Sequence, residues 1–342
     1  MNLKTSLLSL VFLIALASFL ISGRSNKGVV ENYTKLVSDL SVADVLLKVG
    51  AKKPNHFIEK LDSDSAHIGY ELITTGFVEG SNNKKQSKYF ECVDCHNLVP
   101  EVYNLADESP NERLKYSKEK NIPFLPASTF YGMYNKEHWY NGDYAKKYGA
   151  LVAPTRDTLV NAIQLCAIQC SQGRLLENWE VRSVLHYMKS ISLQIKDLKI
   201  TAKEMDRLAE YVIKKDKAAI KLLASKYNVI NDATFGKTDI PELKNYKANP
   251  DNGKYIFNNG CLHCHGTGSN VASFEFNDDN LTLNFLESQI SKHNHFSVPY
   301  LVRKGTYAIA GKKQYMPQYP LEKMSKEQLL DLLSYISLNK SN

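Results

Sequence analysis

The sequence Cys-x-x-Cys-His occurs twice in this chain, as Cys92-Val-Asp-Cys95-His96 and as Cys261-Leu-His-Cys264-His265. This spacing attaches a c-type haem: two thiols add across the porphyrin vinyl groups and the adjoining imidazole takes the iron from one face. Covalent attachment fixes the ring on one face of a short helical turn, so the histidine must follow at once. Cys92, Cys95, Cys261 and Cys264 are therefore read as the cofactor-binding thiols, with His96 and His265 as the first iron ligands. The expected cofactors are two covalently bound haem c groups.

The stretches around the two motifs can be compared piece by piece. In the C-terminal stretch, Asn249-Pro250-Asp251 starts a helix that carries Gly253 and Phe257 and ends at Gly260, just before Cys261. Ser325 reads as an N-cap with Glu327 in the first turn, and Leu329, Leu333 and Ile336 fall on one helical stripe. A first helix entering the motif and a last helix crossing it resemble class I cytochrome c. In that family a glycine and an aromatic on the first helix meet an aromatic on the last; Gly253, Phe257 and Tyr335 stand in those places. The N-terminal stretch has the same parts: a helix opening at Asp64–Gly69 and ending near Gly76, and a closing helix marked by Val181, Val184, Leu185 and Met188 with Tyr187 near its end. It differs by a polar hairpin or loop at 79–88 and by an insert over about 121–148 rich in Tyr, Asn and Gly. The expected fold is thus mainly α, two class I cytochrome c-like domains (63–195 and 248–342) joined by a helical linker (196–247). A helical extension (25–62) comes before them.

The chain has 342 residues, and Lys4 precedes an apolar run from Leu7 to Ile21 that turns polar at Ser22–Lys27. Residues 1–24 read as an export signal or as an uncleaved membrane anchor, and both readings stay open. Export suits covalent haem attachment, and the expected location is periplasmic. The formal charge of +7 becomes +5 without Lys4 and Arg24, the charged residues of that segment. A moderately basic surface suits an acidic redox partner protein or an anionic substrate. Nucleic acid is not expected, because the lysines are spread along the chain rather than clustered.

Function turns on what holds each iron from the other side, because axial chemistry shifts haem potential over about 0.8 V. For the second haem, Met316-Pro317 lies just before the last helix, where class I cytochromes present a methionine; the rival donors are His293, His295 and Lys313. Met324 reads as a packing residue. The equivalent place before the first closing helix holds no methionine. It holds Leu159, Ile163, Cys166 and Cys170 at i, i+4, i+7 and i+11, which turns both thiols to the buried side of a helix. Three readings of this pair remain open: Cys166 as axial ligand, Cys170 as axial ligand, or a disulfide, which i,i+4 helical spacing would strain. Met133 is a further donor, set against its reading as a loop methionine among aromatics. Trp179 fits an aromatic that packs the closing helix on the haem edge, and His138-Trp139-Tyr140 fits surface aromatics of the insert, with the mouth of a pocket as the other reading.

The segment with Cys166, then Gly173 and Arg174 before a closing amphipathic helix, is similar to the haem-ligating cysteine segment of dihaem thiosulfate dehydrogenases. That resemblance implies His96 and Cys166 as the axial pair of a catalytic first haem, and His265 with Met316 at a second haem that passes electrons out. The substrate implied is a small sulfur oxyanion, with Arg156 and Arg174 as the arginines placed to contact it beside Cys166. Departures from the family are Ala162 where it has arginine, the extra thiol Cys170, and Tyr315 where it has a lysine beside the methionine. A second hypothesis is a non-enzymatic electron shuttle, or a subunit of a respiratory complex, with two His/Met haems.

Overall fold

Two short polar side chains start the helices on which the molecule is built. Asp62 accepts from the Ser65 amide at 2.9 Å and caps helix Ser63–Thr75, which Gly76 ends in the left-handed conformation at φ 68°. Asn249 accepts from the Asp251 and Asn252 amides and caps helix Pro250–Ile256, with proline in its first turn. The computed structural model describes residues 27–81, 84–230, 232–269, 271–292, 294–307 and 315–338. Among them the chain is mainly helical and contains no strand. Residues 1–24, His293 and Lys313 lie outside the described residues.

The described residues form two compact units. One comprises residues 27–52 and 194–226. In it helix Lys27–Ser38 packs on Ala202–Lys214, and Val42–Lys48 meets Ala218–Ala224. Val42, Val45, Ile195, Leu208, Ala219 and Leu223 are buried there. The segments expected as an extension and a helical linker thus contribute to one helical unit with a core of its own.

The other unit, residues 53–193 and 227–338, carries both motifs. In its first part, helix Ser63–Thr75 crosses helix Asn178–Ser190 at Gly69, where an added methyl would overlap the Ser183 carbonyl and crowd Tyr187. In its second part, helix Pro250–Ile256 crosses helix Lys326–Leu338 at Gly253, where a methyl would overlap the Asp331 carbonyl and crowd Tyr335. The two crossings share one register: each glycine faces a backbone carbonyl and the tyrosine four residues beyond it. Aromatic pairs flank both, Tyr70–Tyr187 at 5.5 Å and Phe257–Tyr335 at 5.7 Å between ring centroids. The Asp331 carboxylate, itself buried, accepts from Tyr246, the Asn249 amide and Asn252, which ties the second helix pair at its start.

The core of the second part gathers Ile256, Phe257, Leu283, Leu332, Tyr335 and Met324, the last as the packing residue expected. It also takes in Leu114 and Phe124 from the segment after the first motif. Helix Pro110–Lys120 and the start of the insert therefore belong to the wall of the second core.

Alanine is a better helix former than glycine, so a loss of stability on substitution reports the crossing itself. Gly69→Ala and Gly253→Ala should each destabilise the protein by about 3 kcal/mol or more, measured by denaturant unfolding. Values near zero would show that the helices do not touch there.

Candidate haem and thiol site

Cys92–Asp94 forms a single 3-10 turn whose ends are tied by Glu91 and Asp94, and the Cys95 and His96 amides both return to the Cys92 carbonyl. This bend brings both thiols and the imidazole to one side. The second motif follows a π-helical segment, Phe257–Cys261, and continues as helix Leu262–His265. Burial pushes Cys92, Cys261 and Cys264 up to about 12, with nearby acids or thiols adding to it, and raises Cys95 as well. The pockets thus disfavour charged sulfur, and a thioether carries none.

The two histidines are prepared alike. The His96 Nδ1 donates to the Ser128 carbonyl at 2.6 Å, and the ring stacks on Phe130 at 4.4 Å. His265 Nδ1 donates to the Phe274 carbonyl at 3.2 Å, and its ring packs on Phe274 and Phe276 in a three-ring cluster. Burial lowers both below the usual histidine range, which keeps the imidazoles neutral. A neutral ring with Nδ1 engaged leaves the Nε2 lone pair free for a metal.

Cys92, Cys95, His96, Cys166, Cys170 and Tyr315 line one cavity with an empty volume of about 1450 Å³, part of it open to solvent. Its apolar walls include Leu72, Ile73 and Met188. The residues present fit a haem. Helix Leu159–Leu165 leads into a π-helical turn, Cys166–Cys170, closed by the Ser171 amide on the Cys166 carbonyl at 2.9 Å. Single π turns of this kind recur at functional sites. No disulfide joins Cys166 to Cys170.

Cys166, Cys170, Tyr140 and Tyr315 line this cavity together. Cys166 beside it, and then the two phenols, lower Cys170 from the usual thiol range against the opposing effect of burial. The neighbouring Cys170, and then burial, hold Cys166 well above that range. Tyr140 enters the cavity wall from a left-handed backbone, φ 55°, a strained geometry for a non-glycine residue that costs roughly 1–2 kcal/mol. Its neighbours secure it: the Trp139 amide donates to the Arg156 carbonyl, and Arg156 donates to Asn141.

Several expectations change. Trp139 and Tyr140, read as surface aromatics, line the cavity, while His138 pairs with Asp157 at 2.6 Å. Met133 also lines it, with its sulfur accepting from the Trp139 indole at 3.2 Å. Trp179 is 38% exposed and donates to Glu177 at the start of its helix instead of packing over the cavity. Arg174 forms a bidentate pair with buried Glu180, and Arg156 is held on Asn141; neither lines the cavity. The Met316 backbone is fixed by Thr306 through two hydrogen bonds, 2.7 and 3.0 Å. Ser128, Phe130, Tyr144, Tyr315 and Lys323 were missed by sequence reasoning. The tyrosine-rich insert was a signal for Tyr144 alone, since the others arrive by long-range contacts.

The two motifs meet directly. The Cys264 Sγ lies 3.8 Å from the Asp94 carbonyl. Beside this seam, Phe124 donates to the Asn259 carbonyl and Tyr319 donates to the Phe124 carbonyl, at 2.9 and 2.7 Å.

Behind His96 lies a buried charge cluster. Arg113 donates to Glu101 at 3.1 Å and to the Lys323 and Leu125 carbonyls, and Lys323 stands 3.5 Å from Glu101. Burial would raise Glu101, but Arg113 and Lys323 hold it at about 2. Burial, with repulsion from Arg113, lowers Lys323 from 10.5 to about 8. Between pH 8 and 10.5 the unfolded chain therefore binds the proton and the folded chain does not, so stability rises with pH across that window. Denaturant unfolding of wild type and Lys323→Met should show this extra rise in wild type alone; parallel pH profiles would contradict it.

Residues 248–336 match the family model for cbb3-type cytochrome c oxidase subunit III, which covers about a quarter of the chain. No curated protein and no solved structure gives a match. The matched segment contains the second motif and its helix pair. It is a c-type cytochrome domain, with covalent haem c as its cofactor, and the chain is an electron-carrying c-type cytochrome that works with a redox partner.

Proposed function

We propose that the chain is a dihaem cytochrome that oxidises or reduces a small sulfur oxyanion of the thiosulfate type. His96 and Cys166 would hold the iron of the first haem, and His265 and Met316 that of the second. One observation carries this reading: two free thiols share a single cavity with Cys92, Cys95 and His96. A haem held there supplies one-electron exchange, and a thiolate ligand lowers its potential below that of a His/Met site.

The chain's own residues have definable tasks. Ser128 fixes the His96 tautomer. Tyr140 and Tyr315 set two phenols beside Cys166 and Cys170 in an otherwise apolar wall. The phenols that face the cavity are the donors an incoming oxyanion meets. The contact between the two attachment segments supports a shared electron path between first and second sites.

The likeness of residues 248–336 to an oxidase subunit favours a second reading, a shuttle or respiratory-complex subunit without chemistry of its own. Either role fits an exported protein, with residues 1–24 as signal or anchor and a redox protein as partner. No helix among the described residues is long and apolar enough to cross a membrane.

Electron paramagnetic resonance of the oxidised protein separates the readings. The enzyme should show one low-spin haem of thiolate character, lost in Cys166→Ala together with thiosulfate-dependent haem reduction. Two haems of His/Met character, unchanged in that variant, would establish the shuttle.

A further inference from the structure

Folding sorts the charge of this chain. The helical unit, residues 27–52 and 194–226, holds thirteen Lys and Arg against eight Asp and Glu, a net +5. The motif-bearing unit, Lys53–Leu193 with Tyr227–Asn342, holds 28 of each sign and is neutral. Lysines that look evenly spread along the sequence thus leave their whole excess on the unit without a Cys-x-x-Cys-His motif.

Six of these cations gather at one end of that unit. Lys48 ends helix Val42–Lys48, Lys214 ends helix Ala202–Lys214, and Lys215 follows in the left-handed conformation at φ 53°. Lys217 then starts helix Ala218–Ala224, with Lys221 one turn on. The two segments meet here: a methyl added to Gly50, between Lys48 and Lys52, would touch the Lys217 Cε at 3.6 Å. All six lysines are exposed. The acids beside them are already engaged: Asp216 accepts from the Ala218 amide at 2.9 Å, and Glu210 pairs with Lys214 at 3.6 Å. A cation near the carbonyl end of a helix stabilises it, which accounts for Lys48 and Lys214. Lys217 stands at an N-terminus, where the helix dipole opposes positive charge. The stability of the fold does not call for a cation there, whereas an anionic surface does.

Two features say what kind of surface. A protein that exchanges electrons belongs on the unit that carries the haem motifs, and that unit is neutral. The basic unit is led to a bilayer instead. The apolar run 7–21 is separated only by residues 22–26 from Lys27, the first residue of helix Lys27–Ser38. As signal or as anchor, that run brings this unit first to a membrane. A single weak apolar attachment becomes stable when a polybasic patch joins it.

We propose that the helical unit is a membrane-surface module, in which Lys48, Lys52, Lys214, Lys215, Lys217 and Lys221 bind the phosphate headgroups of anionic phospholipid. The attraction amounts to about fivefold in affinity per cation near the surface and is screened by salt. The neutral unit takes no part in it, which leaves that unit to the redox partner. The inference goes beyond the proposed function and does not depend on the chemistry at the first cavity.

The test uses the holoprotein without residues 1–24, which keeps both units entire and leaves no apolar run to insert. It is sedimented with vesicles of phosphatidylcholine alone and of phosphatidylcholine mixed with phosphatidylglycerol. The expected result is binding to the mixed vesicles only, reversed by high salt. A variant with Lys214→Gln, Lys215→Gln and Lys217→Gln should bind on the order of a hundredfold more weakly, with its haem spectrum and helical circular dichroism unchanged. Lys217→Glu, a change the helix dipole favours, should weaken binding too in a variant no less stable than wild type. A matched variant at exposed lysines of the neutral unit, Lys88→Gln, Lys115→Gln and Lys120→Gln, should bind as wild type does. Equal loss in the two triple variants, or no preference for phosphatidylglycerol, would overturn the inference. Salt-sensitive binding to polyglutamate in place of the mixed vesicles would do the same and assign the patch to an acidic protein.

Discussion

Each half of the motif-bearing unit depends on a place where two helix backbones touch. Gly69 on Ser183 and Gly253 on Asp331 bring helices together closer than any side chain permits. Packing at such crossings is unforgiving, because the interior is already as dense as an organic crystal. The crossing sets the angle of the opening helix, the opening helix leads to the attachment turn, and the turn aims the thiols and the imidazole. Everything chemical in the molecule stands downstream of those two contacts.

The seam between the halves is the second level of organisation. It is made of backbone carbonyls and short polar reaches: Cys264 near Asp94, Phe124 on Asn259. Arg113 adds a buried cation that joins Glu101 to the Lys323 carbonyl across the same boundary. An isolated buried charge is very costly to hold, so a cluster of this kind persists only where its partners are all in place. The first cavity thus has walls from both halves, and the sequence after Met316 serves each of them.

The attachment motifs, both helix pairs and the crossing glycine Gly253 were legible in the sequence because their physics is local. Thiol and imidazole spacing, N-caps and helical stripes all act within a few residues. The thiol pair was legible in outline, since Cys166 and Cys170 fall on one stripe; the π turn that carries them was not, because one extra residue per turn leaves no mark in composition. Ser128, Tyr315 and Lys323 gave no signal, as each reaches its partner from more than 30 positions away. Trp139 and Tyr140 looked like surface aromatics of an insert, and they are cavity walls because the insert folds back over the first motif. Residues 27–52 and 194–226 share a core that neither segment announces alone.

The account centres on two porphyrins, one on each Cys-x-x-Cys-His segment. Intact mass measurement of the denatured holoprotein, followed by peptide mapping, tests this most directly. The prediction is the polypeptide plus two haem groups, one on the peptide holding Cys92 and Cys95 and one on that holding Cys261 and Cys264. A single haem, found on the second peptide alone, would contradict it and leave the first cavity without its assigned occupant.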